Sequence, residues 1–212
     1  MSLTERDYET ALVTLWAGQS DAAHDLAHLR RVWANCQRIA RAEAVPVDWD
    51  VLRAAAYLHD LVNLPKTAPN RHEASALSAK AALDWLKGTA FPAEKLPAVA
   101  HAITAHSYSA RIQPETPEAR ILQDADRLDA LGAIGLARLF AVAGQTGAAL
   151  YDSDDPLAQR RALDDRAYAL DHLEVKLFPL VETMQTATGR DMAEERADWV
   201  AAFRSRLLRE IG

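Results

Sequence analysis

This sequence has little cysteine and no long runs of basic residues, and each of these features excludes a class of protein. Among 212 residues there is one cysteine, Cys36, so an internal disulfide is excluded and a reducing compartment is expected. Lysine and arginine form no block longer than the pairs Arg30-Arg31 and Arg160-Arg161, and the net charge is -6. The basic surface of a general nucleic-acid binder is therefore missing, and we expect no such partner.

Long apolar runs are missing as well. The longest, from Leu131 to Gly144, contains Arg138 and is too short to span a bilayer, so we expect no membrane partner. The first ten residues form neither a basic nor an apolar segment, and so do not look like an export signal. Together these features predict a cytoplasmic protein.

Alternating runs of Val, Ile and Thr, which would predict strands, are almost absent, whereas apolar residues recur at helical spacing along most of the chain. Half of the residues are hydrophobic, and Ala, Leu, Arg and Glu are enriched, which favours helix. A chain of 212 residues suits one domain with a substantial core. We therefore predict a single all-α domain, a helical bundle that covers residues 1–212.

Capping residues, glycines and prolines divide this pattern into helices. We expect them at about 3–17, 25–44, 48–61, 72–87, 94–106, 117–131, 157–186 and 191–208, with the sixth bending or continuing as far as 144. The acidic cluster Asp152-Ser-Asp-Asp155 lacks the spacing of a calcium loop, and we expect it to cap a helix that begins at Pro156.

The pair His59-Asp60 closes the apolar helical run Val51–Leu58 and carries the first hint of chemistry. A buried carboxylate without a partner costs several kcal/mol or takes up a proton, so Asp60 requires a cation nearby. Alone, this dipeptide fits a metal site and a plain hydrogen bond between imidazole and carboxylate equally well.

Two further residues favour the metal. His28 lies on one face of the second predicted helix with Arg31, and Asp126 is a carboxylate in the apolar stripe of Leu122 and Leu128. Three predicted helices thus each present metal-compatible groups from mostly apolar faces. Asp25 follows His24, so the pattern His-Glu-x-x-His of a metalloprotease is not formed with His28.

The ordered set His28, His59-Asp60 and Asp126 resembles the signature of the HD-domain metal-dependent phosphohydrolase superfamily. Neighbouring phrases look like those of a bacterial subgroup of stand-alone HD hydrolases, namely residues 24–32, 71–75 and 121–132. The motifs lie within about residues 20–135. The resemblance implies a helical bundle of the HD type, with the C-terminal helices of residues 156–212 packing on it.

The resemblance also implies that these four residues hold one divalent ion, with further positions left to water or substrate. Mixed imidazole and carboxylate ligands suit Mn, Fe, Co, Ni or Zn better than Mg. Some members of the superfamily hold a second ion, for which His72 and His106 stand at suitable places. Hydrolysis of a phosphoester or phosphoanhydride in a small phosphorylated substrate follows, and a nucleotide is the favoured substrate.

Further residues near the motifs are candidates for substrate contact or proton transfer. We expect phosphate or substrate contacts from Arg31, Lys66, Arg71, His72, His101, His106 and Arg127. We expect proton transfer from Asp60, Glu73 and Asp129. Asp129 has an alternative role as the ion-pair partner of Arg127 or Arg138.

Two other classes of function stay open at this point. The first is a non-catalytic sensor with the HD fold that binds a metal and a nucleotide without hydrolysing it. The second is a purely structural helical protein whose histidines and aspartates form hydrogen-bonded pairs. A homodimer is also left open.

Overall fold

The computed structural model describes residues 2–16, 25–64 and 68–212, and in these residues the chain forms helices and no β-strand. The described α-helices are α1 (Glu5–Leu15), α2 (Leu26–Glu43), α3 (Trp49–Leu58), α4 (Ala74–Leu86), α5 (Leu96–His106), α6 (Pro117–Asp129), α7 (Gly132–Thr146), α8 (Phe178–Val181) and α9 (Ala187–Ile211). The all-α prediction is confirmed. Within the described residues no single helix has the length and hydropathy to cross a membrane. Helices α6 and α7 meet both criteria only when taken together, and they are bent by 64° relative to each other.

Side-chain caps set where the first helices begin. Thr4 and Asp7 form a capping box at α1, in which each side chain accepts the other residue's backbone N–H. Asp25 accepts the N–H of His28 at 2.9 Å and starts α2. Asp48 caps α3 by accepting from the N–H groups of Asp50 and Val51.

The chain falls into two compact units, residues 1–126 and 127–212. In the first unit α3 packs against α1, α2, α4 and α5, which makes it the central helix. The run Val51–Leu58 is buried throughout except at Arg53. A helix surrounded in this way must be apolar on nearly every side, which explains its composition. The single domain over residues 1–212 stays a prediction.

In the second unit α9 packs against α7 and α8. The start of α7 depends on small residues, because a Cβ added at Gly135 would lie 2.1 Å from the carbonyl oxygen of Ala130. Gly132, with φ +69°, adopts the left-handed backbone that L side chains rarely enter. α9 begins earlier than predicted because Thr186 caps it, accepting the N–H of Gly189 at 2.9 Å.

The predicted helix over 157–186 is wrong for most of its length, because residues 151–170 form turns. Asp155 accepts the N–H groups of Gln159 and Arg160 at 2.9 and 2.8 Å, and Ala158 has φ +52°. Such local side-chain bonds compete with the helical hydrogen-bond pattern. Helical structure resumes at the π-helix Leu173–Leu177, which leads into α8.

Candidate metal centre

The first unit brings the four predicted metal ligands together. His28 stands in the first turn of α2, His59 is the residue at the C-terminal end of α3, Asp60 follows it, and Asp126 lies in α6. The Nε2 atoms of the two histidines are 3.3 Å apart. Asp60 Oδ2 lies 3.6 Å from each of them, and Asp126 Oδ1 lies 3.5 Å from His28 Nε2 and 3.7 Å from His59 Nε2.

These separations fit donors around one ion better than donors bonded to each other. Two ligands each about 2.1 Å from a metal are about 3.0 Å apart at a right angle and about 3.6 Å apart at 120°. The four imidazole-carboxylate distances, 3.5 to 3.7 Å, fall in or just beyond that range. They exceed the about 2.7–3.2 Å of an N–H···O hydrogen bond. The donor set therefore fits a divalent ion.

Backbone contacts orient two imidazole rings of the cluster. Nδ1 of His59 lies 2.9 Å from the carbonyl oxygen of Ala56, and Nδ1 of His106 lies 2.5 Å from that of Ile103. A carbonyl can only accept, so each Nδ1 carries the proton and each neutral ring keeps its lone pair on Nε2. Lone pairs that face carboxylates repel them, and a cation between them removes the repulsion.

The electrostatics of the cluster show that its carboxylates attract positive charge. Burial lowers the pKa of His59, but the neighbouring Asp60 and Asp126 carboxylates outweigh burial and raise it above the ordinary value. Burial raises the pKa of Asp126, but the surrounding imidazoles reverse this and hold it far below the ordinary value. Burial and the charge of His59 lower the pKa of His106. The carboxylate of Asp126 is thus held ionised, as metal ligation requires.

His106, which the sequence suggested as a ligand of a second ion, lies beside the four predicted ligands. Its ring packs edge-on against His59 with centroids 4.8 Å apart, and its Nε2 lies 3.7 Å from Asp60 Oδ1. Donor atoms of His59, His106 and Asp126 all lie within 4.8 Å of one another. His72, the other histidine suggested for a second ion, is exposed and belongs to none of the metal-compatible groups among the described residues.

Several residues predicted to contact substrate form hydrogen bonds with backbone groups. Arg71 donates to the carbonyl of Leu64, and Nε2 of His101 accepts the N–H of Glu115 at 3.0 Å. Arg127 donates to the carbonyl of Thr183 at 2.5 Å. Each of these side chains stabilises a loop or a helix end, and its contact with substrate stays a prediction.

The other predicted site residues differ in exposure. Glu73 is exposed in the 3₁₀-helix Arg71–Glu73, and Arg31 is half-buried on α2. Asp129 is buried and forms an ion pair with Arg138, which is the structural alternative stated for it from the sequence. Lys66 lies outside the described residues.

Sequence reasoning missed three buried polar residues that border the cluster. Asn35 donates to the carbonyl of Ala125, next to Asp126, at 3.3 Å. Gln123 and Ser75 donate to carbonyls of α5 beside His106. Each is a polar residue inside an apolar helical stripe, and this is the signal that pointed to Asp126. The same signal applied to amides and hydroxyls would have found them.

Comparison with known proteins now decides the family. The model of the HD domain matches residues 25–131, which include all four predicted ligands and His106. The chain belongs to the HD-domain family. HD domains bind divalent metal ions, and the His and Asp groups of this chain's HD domain could hold one.

Relatives of this HD-domain chain match nearly all of its length. The uncharacterized protein YpgQ of Bacillus subtilis is 34% identical over 196 residues, which cover 90% of this chain and 85% of YpgQ. The crystal structure of Bacillus subtilis YpgQ in complex with ADP matches with a TM-score of 0.74 and 31% identity, covering 97% of this chain and 93% of that one. An HD-superfamily hydrolase from Bacillus thuringiensis matches with a TM-score of 0.73 and 28% identity, covering 97% and 95%.

Proposed function

We propose that this protein is a metal-dependent phosphohydrolase that cleaves a phosphoester or phosphoanhydride bond of a small phosphorylated molecule, with a nucleotide as the favoured substrate. The convergence of His28, His59, Asp60 and Asp126 carries the proposal, because the two imidazole Nε2 atoms lie 3.3 Å apart and each lies 3.5–3.7 Å from an oxygen of both carboxylates. The likeness to an HD-superfamily hydrolase supports the reaction class.

Exposure divides the cluster into a closed side and an open side. The His28 and His59 side chains are 0% exposed, whereas those of Asp60 and Asp126 are 20% and 29% exposed. Solvent therefore reaches the cluster from the carboxylate side. A water molecule and a phosphate oxygen would approach from that side, while the imidazoles close the other.

The residues of the chain have distinct tasks in this proposal. A bound divalent ion would acidify water and neutralise charge on a phosphoryl group. Asp60 offers Oδ2 toward His28 and His59, and turns Oδ1 toward His106. This arrangement supports Oδ1 as the atom that takes a proton from the attacking water. Glu73 is the second candidate base, and its exposure leaves it accessible to solvent.

A nucleotide substrate is supported by a relative. YpgQ was crystallised in complex with ADP, and it aligns with 97% of this chain. The net charge of -6 and the lack of basic runs favour a small ligand over a nucleic-acid strand. The arginines of the motif region, Arg31 and Arg71 among them, are the candidate cations for its phosphates.

The second candidate is a sensor that binds a nucleotide at the metal site without hydrolysing it. The ADP complex of YpgQ favours this candidate to the same extent, since a bound diphosphate is compatible with recognition alone. Turnover separates the two functions.

A metal-loading and turnover experiment tests the proposal. Protein stripped with a chelator is reloaded with Mn²⁺, Co²⁺ or Ni²⁺, analysed for metal, and incubated with nucleoside mono-, di- and triphosphates, cyclic nucleotides and an aryl phosphate. We expect phosphate or pyrophosphate release that depends on the metal. Metal-loaded protein that binds ADP but turns over none of these compounds would establish the sensor instead, and protein that takes up no metal would refute both.

Single substitutions sharpen the result. Asp60→Ala and Asp126→Ala should each remove metal binding and activity together. The matched control is Asp84→Ala, because Asp84 is an exposed carboxylate on α4 that pairs with Lys87. This control should keep both properties. Loss of activity with full metal content in Asp126→Ala would contradict its assignment as a ligand.

A further inference from the structure

The last turn of α5 is held by side chains from two other helices. The final four carbonyls of an α-helix lack partners within the helix. Here Ser75 Oγ, from α4, donates to the carbonyl of Thr104 at 3.1 Å, and Gln123 Nε2, from α6, donates to that of Ala105 at 2.7 Å. Ser75 and Gln123 are both 3% exposed, so water competes little for these bonds.

A third carbonyl of the same turn orients the ring that the turn carries. The Ile103 carbonyl accepts from Nδ1 of His106, the last residue of α5. The ring orientation of His106 therefore depends on where the main chain of residues 103–106 lies. Its Nε2 then faces Asp60 Oδ1 at 3.7 Å.

We propose that Gln123 and Ser75 are positioning residues of the metal centre. Through the carbonyls of Ala105 and Thr104 they fix the last turn of α5, and thereby hold His106 Nε2 as a fifth donor beside the four predicted ligands. The inference rests on the metal site of the proposed function. It adds a role for His106 and names the two side chains on which that role depends.

Metal affinity is the first readout. Isothermal titration with Mn²⁺ should show that Gln123→Met weakens binding about tenfold, the lower end of the loss seen when partners of metal ligands are removed. The matched control is Gln185→Met, because Gln185 makes the same kind of bond, from Nε2 to the carbonyl of Thr183 at 2.9 Å, in the second unit. Equal affinity in Gln123→Met and Gln185→Met would overturn the inference.

A double-mutant cycle identifies His106 as the residue through which Gln123 acts. His106→Phe keeps a ring against His59 but removes the donor, and should weaken Mn²⁺ binding about tenfold or more. In the His106→Phe background, Gln123→Met should cause no further loss. An equal loss in both backgrounds would show that Gln123 acts by another route.

Ser75 supplies an independent variant in case Gln123→Met does not fold. Ser75→Ala should weaken Mn²⁺ binding, and Ser75→Thr, which keeps the hydroxyl, should restore it. Failure of the hydroxyl to restore affinity would count against positioning by Ser75.

An NMR measurement on metal-free protein separates this inference from the proposed function. The ¹⁵N signals of the His106 ring should report an Nδ1-protonated tautomer in the wild type and lose that pattern in Gln123→Met. If the wild type binds no Mn²⁺, the fifth-donor role falls together with the metal site, while the NMR result still decides whether Gln123 positions His106. An unchanged His106 spectrum in Gln123→Met overturns the positioning role itself.

Discussion

Arg138 Nη1 lies 2.9 Å from Asp129 Oδ2, in an ion pair whose carboxylate is almost entirely buried and whose guanidinium is about a quarter exposed. Both residues belong to the second unit. Burial removes most of the solvent that could stabilise the Asp129 carboxylate, and the positive charge of Arg138 compensates for part of that loss.

Removal of Arg138 should therefore be costly. Arg138→Ala removes this charged partner from a buried carboxylate, and we expect the free energy of unfolding to fall by about 3 kcal/mol. Urea denaturation measures this. The control is Arg206→Ala, because Arg206 pairs with Glu210 on the exposed surface of α9 and should cost about 0.5 kcal/mol or less. Similar losses of unfolding free energy in the two variants would contradict the larger contribution expected from the buried Asp129 pair.

The glycines of α7 allow a second comparison. A Cβ at Gly135 would meet the Ala130 carbonyl at 2.1 Å, whereas one at Gly144 meets nothing within 4 Å. Gly135→Ala should therefore lower stability by several kcal/mol through backbone displacement. Gly144→Ala should raise it by about 0.5–1 kcal/mol, because alanine is the better helix former. Thermal unfolding of both variants tests the pair, and a tolerated Gly135→Ala would contradict the close approach.

The sequence identifies which polar residues of the site need a partner, but not which partner each one has. The sequence places Asp126 and Asp129 three residues apart on one predicted helix, the first as a metal ligand and the second as a candidate for proton transfer. The structure separates them, because Asp126 faces imidazoles whereas Asp129 faces Arg138. The same holds for His101 and His106 on α5, of which His101 stabilises a loop and His106 joins the cluster. A linear pattern shows that a polar group needs a partner but does not name it.

The missed turns after α7 have a similar cause. Periodicity over residues 157–170 favours helix, and the pattern contains no information on which carboxylates accept local N–H groups. Asp155 and Asp164 each accept two such bonds. These bonds satisfy the backbone without a helix. By contrast, Asp25 and Asp48, which cap α2 and α3, stand where the sequence predicts these two helices to begin.

The buried Asp171 makes the second unit sensitive to acid. Burial raises the pKa of its carboxyl, but Arg161 at 2.5 and 2.8 Å and the N–H of Asp164 at 2.7 Å reverse this and hold it below the ordinary value. A lowered native pKa contributes stability that is fully present above the unfolded-state pKa of about 3.9. That contribution is lost as the pH falls through the native pKa.

Asp171→Asn tests this dependence. The variant should be less stable than the wild type at pH 7, and the difference should shrink as the pH falls below about 4, where the wild type loses its own carboxylate. Unfolding by urea between pH 3 and pH 7 measures both curves. Asp198→Asn, at an exposed position on α9, is the control and should track the wild type throughout. A constant gap between Asp171→Asn and the wild type would contradict the role of ionisation.

Metal binding should stabilise the fold by mass action, since the donors come from α2, α6 and the end of α3 and are adjacent in the folded chain alone. At free Mn²⁺ about 100 times its dissociation constant, the expected gain is about 2.7 kcal/mol, and a chelator should reverse it. His59→Ala should abolish the gain. The control is His172→Ala, because His172 pairs with Asp165 at 2.8 Å in the second unit and should leave the gain intact. A ligand that binds the folded state in preference to the unfolded one must raise stability. A wild-type melting temperature that does not change with Mn²⁺, Co²⁺ or Ni²⁺ would therefore show that the converging donors do not hold an ion.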